Sequence, residues 1–161
     1  MSGMKPTVYI ETTIPSYLVA RPSNQPRLQA DQETTRQWWD RHAGDFDMFV
    51  SEIVVREVRR GDVAMAADRL SKIKNLPVLT LGEAAENLAA FLLERVIPAH
   101  AIDDAAHIAV AAVNGMDFLL TWNCRHINNR YTIRRIEKCC ADAGFACPVV
   151  ATPAELMSIE P

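Results

Sequence analysis

Several polar residues stand where an apolar chain would be expected to run on. The stretch VYIETT at 8–13 is an apolar strand pattern that stops on a carboxylate, Glu11, with hydroxyls at Thr12 and Thr13 beside it. Glu57 lies one, three or four residues from Val58, Val54 and Ile53, which puts it on or beside the apolar face of a helix. The segment from Ala105 to Val113 is apolar all round except for His107, and its polar side chains gather at the start: Asp103, Asp104 and His107. Thr121 and Asn123 close the run DFLLTWN.

Each position has an ordinary explanation. An unpaired buried carboxylate costs on the order of 3–5 kcal/mol, so Glu57 requires a cation, and an arginine at the helix edge would serve. Asp103 or Asp104 could cap a helix or answer its dipole for ~0.3–1 kcal/mol. A histidine on such a helix is more often a satisfied core residue than a ligand. Taken together, however, Glu11, Glu57 and Asp104 offer three negative charges and Asn123 a neutral carbonyl oxygen. Carboxylates crowded together repel unless a hard divalent cation neutralises them, and Mg²⁺ or Mn²⁺ suits oxygen ligands. Glu11, Glu57 and Asp104 are the expected metal ligands, and with Asn123 the expected catalytic set. Thr12 and Thr121 are expected to orient a water or a phosphate oxygen, with His107 a remote candidate for a base.

Convergence of these residues depends on the elements that carry them. Apolar runs predict strands at 7–11, 46–51, 77–81, 117–122 and 148–152. Helical periodicity predicts helices at 13–19, 27–44, 52–60, 62–73, 82–96, 103–115 and 131–144, with a terminal helical turn from Pro153. Ser51 is the expected N-cap of the third helix and Gly144 the residue that ends the seventh. Strands alternating with helices predict an α/β fold with a parallel sheet covered on both faces. In such sheets ligands bind beyond the carboxyl ends of the strands. Glu11 and Asn123 follow strands, and Glu57 and Asp104 lie near helix N-termini, so all four are predicted at one edge.

The 161 residues are 49% apolar and 23% charged, ordinary for a globular protein with a real core. A net charge of −3 does not announce a nucleic-acid binder, so that role needs a local basic patch. Arg125, His126, Arg130, Arg134, Arg135 and Lys138 face one acid, Glu137, and begin directly after Asn123. Arg125 and Arg130 would meet the phosphates of such a partner, and Arg56, Arg59 and Arg60 could line an opposite rim. No apolar run approaches the ~20 residues of a membrane helix, no signal peptide is visible, and a cytoplasmic location is expected. Cys124, Cys139, Cys140 and Cys147 form no CxxC and read as reduced thiols. Trp38 and Trp39 are adjacent, so one is expected to be exposed or at an interface.

Four blocks, VYIETTIPSYL, SEIVVREV, IDDAAHIAVAA and FLLTWNCRHI, span nearly the whole chain. In this order they resemble PIN-domain ribonucleases, and within them toxins of the VapC type. The resemblance implies a single PIN-like domain over 1–161, three layers α/β/α around a mainly parallel five-stranded sheet. It implies metal-dependent hydrolysis of RNA, a cognate antitoxin and a homodimer. The usual first block has Asp where this chain has Glu11, and the fourth usually has an acidic residue where Asn123 stands. The third acid is similar to Asp104, with Asp103 the near alternative. The competing expectation is a degenerate module that binds RNA or a protein partner without turnover. Aspartyl-phosphate chemistry wants DxD after the first strand, which Glu-Thr-Thr does not supply.

Overall fold

The computed structural model describes residues 4–159. Its first strand, β1 (Thr7–Ile10), carries Val8, Tyr9 and Ile10, all fully buried, as a strand covered on both faces requires. The chain continues through α1 (Thr13–Val19), α2 (Pro26–Arg41), a 3₁₀ turn (Ala43–Asp45), β2 (Asp47–Ser51), α3 (Glu52–Val58) and α4 (Val63–Ile73). β3 (Val78–Leu79), α5 (Glu83–Arg95), α6 (Ile102–Val113), β4 (Phe118–Leu120), α7 (Ile133–Asp142), β5 (Val149–Ala151) and α8 (Pro153–Ser158) complete it.

The strands form one sheet in the order β3-β2-β1-β4-β5. All pairings are parallel, with Val8 opposite both Met48 and Phe118, and Leu119 opposite Val150. Helices cover both faces, and the fold is the expected three-layer α/β/α. Successive strands step from β1 to β2 to β3 on one side, then cross to β4 on the other. The switch point therefore lies between β1 and β4, at their carboxyl ends, where open α/β sheets bind ligands.

Most elements fall within a few residues of their sequence expectation, and the differences have local causes. The strand expected at 77–81 shortens to Val78–Leu79 because the Leu81 N–H bonds the Glu52 carboxylate at 2.7 Å and leaves the ladder. β4 ends at Leu120, although the Thr121 N–H still bonds Ala151 O at 3.0 Å, because the chain turns there to bring the Thr121 hydroxyl to Glu11. The helix expected to reach Gly44 stops at Arg41 and tightens into the 3₁₀ turn. Gly144 follows α7 with φ 91°, the left-handed value that favours glycine.

α6 is buried from Ala105 through Ala112, as its all-round apolar sequence requires, and packs on α5 and α3. Trp38 is fully buried, while Trp39 is half-buried against the same core. All four cysteines are free thiols. No helix among the described residues is long and apolar enough to cross a membrane.

Candidate functional site

Glu11 follows β1 and is only 4% exposed, yet no cation pairs with it among the described residues. Its burial is made tolerable by neutral donors. Oε1 accepts the hydroxyls of Thr13 and Thr121, each at 2.6 Å. Oε2 receives the Thr13 N–H at 3.2 Å. Threonine hydroxyls at the ends of β1 and β4 thus aim the carboxylate along the switch point.

Glu57 is half-buried, as a place beside the apolar face predicts, but it sits on the last turn of α3 and not near the helix N-terminus as expected, because the helix ends at Val58. The arginine partner considered from the sequence is not what holds it. Its Oε1 accepts from the Thr12 hydroxyl at 2.7 Å and from His107 Nε2 at 2.5 Å. Burial raises the Glu57 pKa, but the His107 hydrogen bond and charge and the Thr12 hydroxyl outweigh it, leaving the group below its ordinary value.

His107 is 1% exposed and satisfied at both nitrogens, so the core-histidine reading holds, with a site carboxylate as one of its partners. Its Nδ1 lies 2.6 Å from the Tyr9 hydroxyl, which lies 2.7 Å from Ser51 Oγ. Ser51 is the expected N-cap of α3 and accepts the N–H groups of Ile53 and Val54. With those lone pairs engaged, Ser51 gives its proton to Tyr9 and Tyr9 gives its own to Nδ1. The neutral imidazole is thereby fixed with Nε2–H pointing at Glu57. Protonation at Nδ1 leaves the Nε2–H in place. Burial holds the Tyr9 phenol well above its usual pKa, so it stays protonated. For His107, burial pulls the pKa down, but the Glu57 hydrogen bond and the charges of Glu11, Glu57 and Asp104 carry it above the ordinary value.

The two adjacent aspartates at the start of α6 separate clearly. Asp103 receives Arg56 at 2.6 Å and Arg60 at 3.6 Å, an ion-pair cluster at the rim. Among the described residues no arginine reaches Asp104. Its Oδ1 accepts from Asn123 Nδ2 at 3.0 Å. Asn123 Oδ1 accepts the backbone N–H groups of Arg125 and His126 at 3.2 and 3.0 Å, so its amide is spent at both ends.

Ligand-capable atoms of Glu11, Glu57 and His107 lie within 4.8 Å of one another. Since His107 Nε2 carries a proton toward Glu57, it serves that carboxylate as a donor rather than a cation as a ligand. Asp104 stands outside this tight group but shares with Glu57 the wall of a cavity of about 480 Å³. The donor pattern fits a hard cation. In Glu57 and Asp104 one oxygen is held by protein donors while the other has no partner among the described residues, and in Glu11 the second oxygen has only the long backbone contact.

Of the remaining sequence candidates, Thr12 and Thr121 give their hydroxyl protons to Glu57 and Glu11. Arg125 lines a cavity adjoining the acidic one, and Arg130 lines a different cavity with Cys124 and Glu155. Tyr9 is not marked by the sequence, because its partners come from distant elements; Thr13, noted beside Glu11, bonds it directly. Ser51 was recognised only as a cap.

No family model matches the sequence, and no curated protein matches it. Solved structures do. A chain of VapBC2 from Rickettsia felis, in a structure bound to a DNA fragment from their promoter, aligns with a TM-score of 0.59 at 13% identity, covering 91% of this chain and 98% of that one. VapC20 of Mycobacterium tuberculosis, a sarcin-ricin loop cleaving toxin, aligns with a TM-score of 0.55 at 17% identity, covering 87% and 97%. With its all-parallel order β3-β2-β1-β4-β5 and acids at the switch point, the chain has the fold of the VapC-type PIN domain.

Proposed function

We propose that residues 1–161 form a single PIN-like domain that hydrolyses RNA phosphodiester bonds with a divalent cation, Mg²⁺ or Mn²⁺, as the cytoplasmic toxin of a toxin–antitoxin pair. The observation that carries this reading is the half-engaged state of the three carboxylates: protein donors fix one oxygen of Glu11, Glu57 and Asp104, and the other is open or nearly so. Structural carboxylates are ordinarily engaged at both oxygens or paired with a cation, as Asp103 is.

Glu11, Glu57 and Asp104 would hold the cation, since carboxylate oxygens are the hard donors Mg²⁺ and Mn²⁺ prefer. When bound, such a cation supplies an acidified water and a charge that steadies the leaving oxygen of an in-line displacement. The chain's own residues prepare the site for it. Thr13 and Thr121 aim the buried Glu11 carboxylate, His107 and Thr12 hold Glu57 ionised, and Asn123 orients Asp104. Arg125 and Arg130 are exposed, and neither makes an ion pair among the described residues, so both are available for backbone phosphates.

The likeness to VapBC2 and VapC20 supports an antitoxin partner and an RNA substrate. A second copy of the chain is the further partner proposed. The purified protein should cleave RNA in Mg²⁺ or Mn²⁺, stop in EDTA, and lose cleavage in Asp104→Asn. A nuclease-free preparation that cuts no RNA with either metal, and binds neither metal at millimolar concentration, would favour the non-catalytic module instead.

A further inference from the structure

Next to the carboxylates stands a pair of imidazoles that the mechanism leaves unused. The rings of His100 and His126 meet edge to face, with centroids 5.6 Å apart and planes at 79°. Both line the 480 Å³ cavity that Glu57, Asp103 and Asp104 also wall. His126 is shared with a second cavity, of about 300 Å³, lined by Pro98, Arg125, Asn129 and Thr132. The two cavities therefore adjoin across one imidazole. Among the described residues His126 is bonded through its backbone N–H, to Asn123 Oδ1, and neither imidazole spends a ring nitrogen on a protein partner.

Position makes this pair more than a surface feature. Asn123 donates to Asp104 at one end of its amide and accepts from His126 at the other. The His126 backbone is thus tied through Asn123 to a carboxylate of the candidate metal site. The wall beyond the acids offers flat rings and apolar surface as well as charge. It combines two imidazoles with Pro98 and with Ile102, which is 60% exposed, and Arg125 is the one arginine or lysine in its lining. Flat, uncharged, heteroaromatic groups suit such a surface, because perpendicular rings offer a stacking face with ring nitrogens at right angles to it.

Resting on the nuclease reading above, we propose that His100 and His126 form a subsite for one unpaired nucleobase next to the phosphodiester that Glu11, Glu57 and Asp104 serve. Arg125 then answers the adjoining backbone phosphate. A base within a duplex is stacked on its neighbours and cannot enter, so the subsite selects a splayed-out nucleotide.

The test compares a short oligoadenylate with an abasic ribose-phosphate oligomer of the same length, followed by fluorescence anisotropy in Ca²⁺ with strand integrity checked on a gel. Both probes carry the same backbone charge. The wild-type protein should prefer the oligoadenylate by about tenfold, the scale of one base stacked on an aromatic side chain. The double variant His100→Ala/His126→Ala should bind the two probes equally while its Mn²⁺ affinity, read by calorimetry, stays at the wild-type value. His126→Phe, which retains a stacking face, should keep the preference. Equal binding of the two probes by wild type, a preference that survives the double alanine variant, or a preference lost in His126→Phe would each overturn the subsite. Wild-type protein that cleaves RNA yet ignores the bases defeats the subsite alone. Protein that neither binds nor cleaves RNA defeats the nuclease reading and the subsite with it.

Discussion

His107 Nε2 lies 2.5 Å from Glu57 Oε1, the same oxygen that Thr12 reaches at 2.7 Å. Two donors on one oxygen orient the carboxylate and leave its other oxygen open toward the cavity. Removing the imidazole frees Glu57 to rotate. Groups that hold a metal-binding side chain in place typically affect metal affinity by about 10–100-fold. His107→Ala should therefore weaken Mn²⁺ binding by about that factor, as read by calorimetry, although His107 itself donates no ligand atom. Tyr9→Phe tests the chain behind it. It leaves Nδ1 and Ser51 without their shared partner, at a cost of about 1–3 kcal/mol in urea unfolding. Wild-type metal affinity in His107→Ala would remove the positioning role.

Asp103 and Asp104 are neighbours in sequence with different tasks. Asp103 is engaged by Arg56 and Arg60, whose side chains are 54% and 62% exposed, whereas Asp104 is held by a neutral amide and keeps one oxygen open. Exposed ion pairs contribute about 0–1 kcal/mol. Asp103→Asn should therefore leave stability nearly unchanged and metal affinity within about twofold, by calorimetry. Asp104→Asn should remove metal-dependent cleavage. The reverse ranking would place the ligand at Asp103.

The sheet was legible because its signals are local. TVYI, DMFVS and FLL are short apolar runs between turn residues, and α6 declares its burial by being apolar on every side. The acids were legible for a related reason: a carboxylate at the end of a buried strand or on an apolar helix face is conspicuous. What each acid bonds to was not legible. Thr121 and Glu11 are 110 residues apart, and Glu57 and His107 are 50 apart, so their pairing depends on strand order and helix docking. Tyr9 shows the limit well. In sequence it is one more β-forming residue of a buried strand, and only the arrival of Ser51 from β2 and His107 from α6 turns its hydroxyl into a link.

The resemblance to PIN-domain ribonucleases implies an acid where Asn123 stands, and the Asn123 amide donates to Asp104 at 3.0 Å. A carboxylate in its place could not donate and would repel Asp104 in the absence of a cation. It would still accept the Arg125 and His126 N–H groups that close the turn. Asn123→Asp should therefore lower the thermal stability of the metal-free protein and tighten Mn²⁺ binding, so that adding Mn²⁺ raises the melting temperature more than in wild type. An equal Mn²⁺ shift in both proteins would mean that Asn123 does not adjoin the metal.

Without a metal, the His107–Glu57 pair gives stability a pH dependence whose sign follows from the two shifts. The His107 pKa lies above its ordinary 6.5: burial lowers it, and the Glu57 bond with the Glu11, Glu57 and Asp104 charges more than compensates. Its contribution is thus complete below 6.5 and is lost as pH rises through the higher folded value. The Glu57 pKa lies below its ordinary 4.5: burial raises it, and the His107 and Thr12 bonds and the His107 charge outweigh that. Its contribution is present above 4.5 and is lost as pH falls through the lower folded value. Both gains coexist between 4.5 and 6.5, so in EDTA the urea midpoint should be greatest in that interval and decline toward alkaline and acid pH. His107→Gln, which cannot titrate, should flatten the alkaline decline. A wild-type midpoint that rises through the alkaline branch would show that the imidazole enters the folded protein with its pKa lowered, and that its bond to Glu57 does not offset its burial.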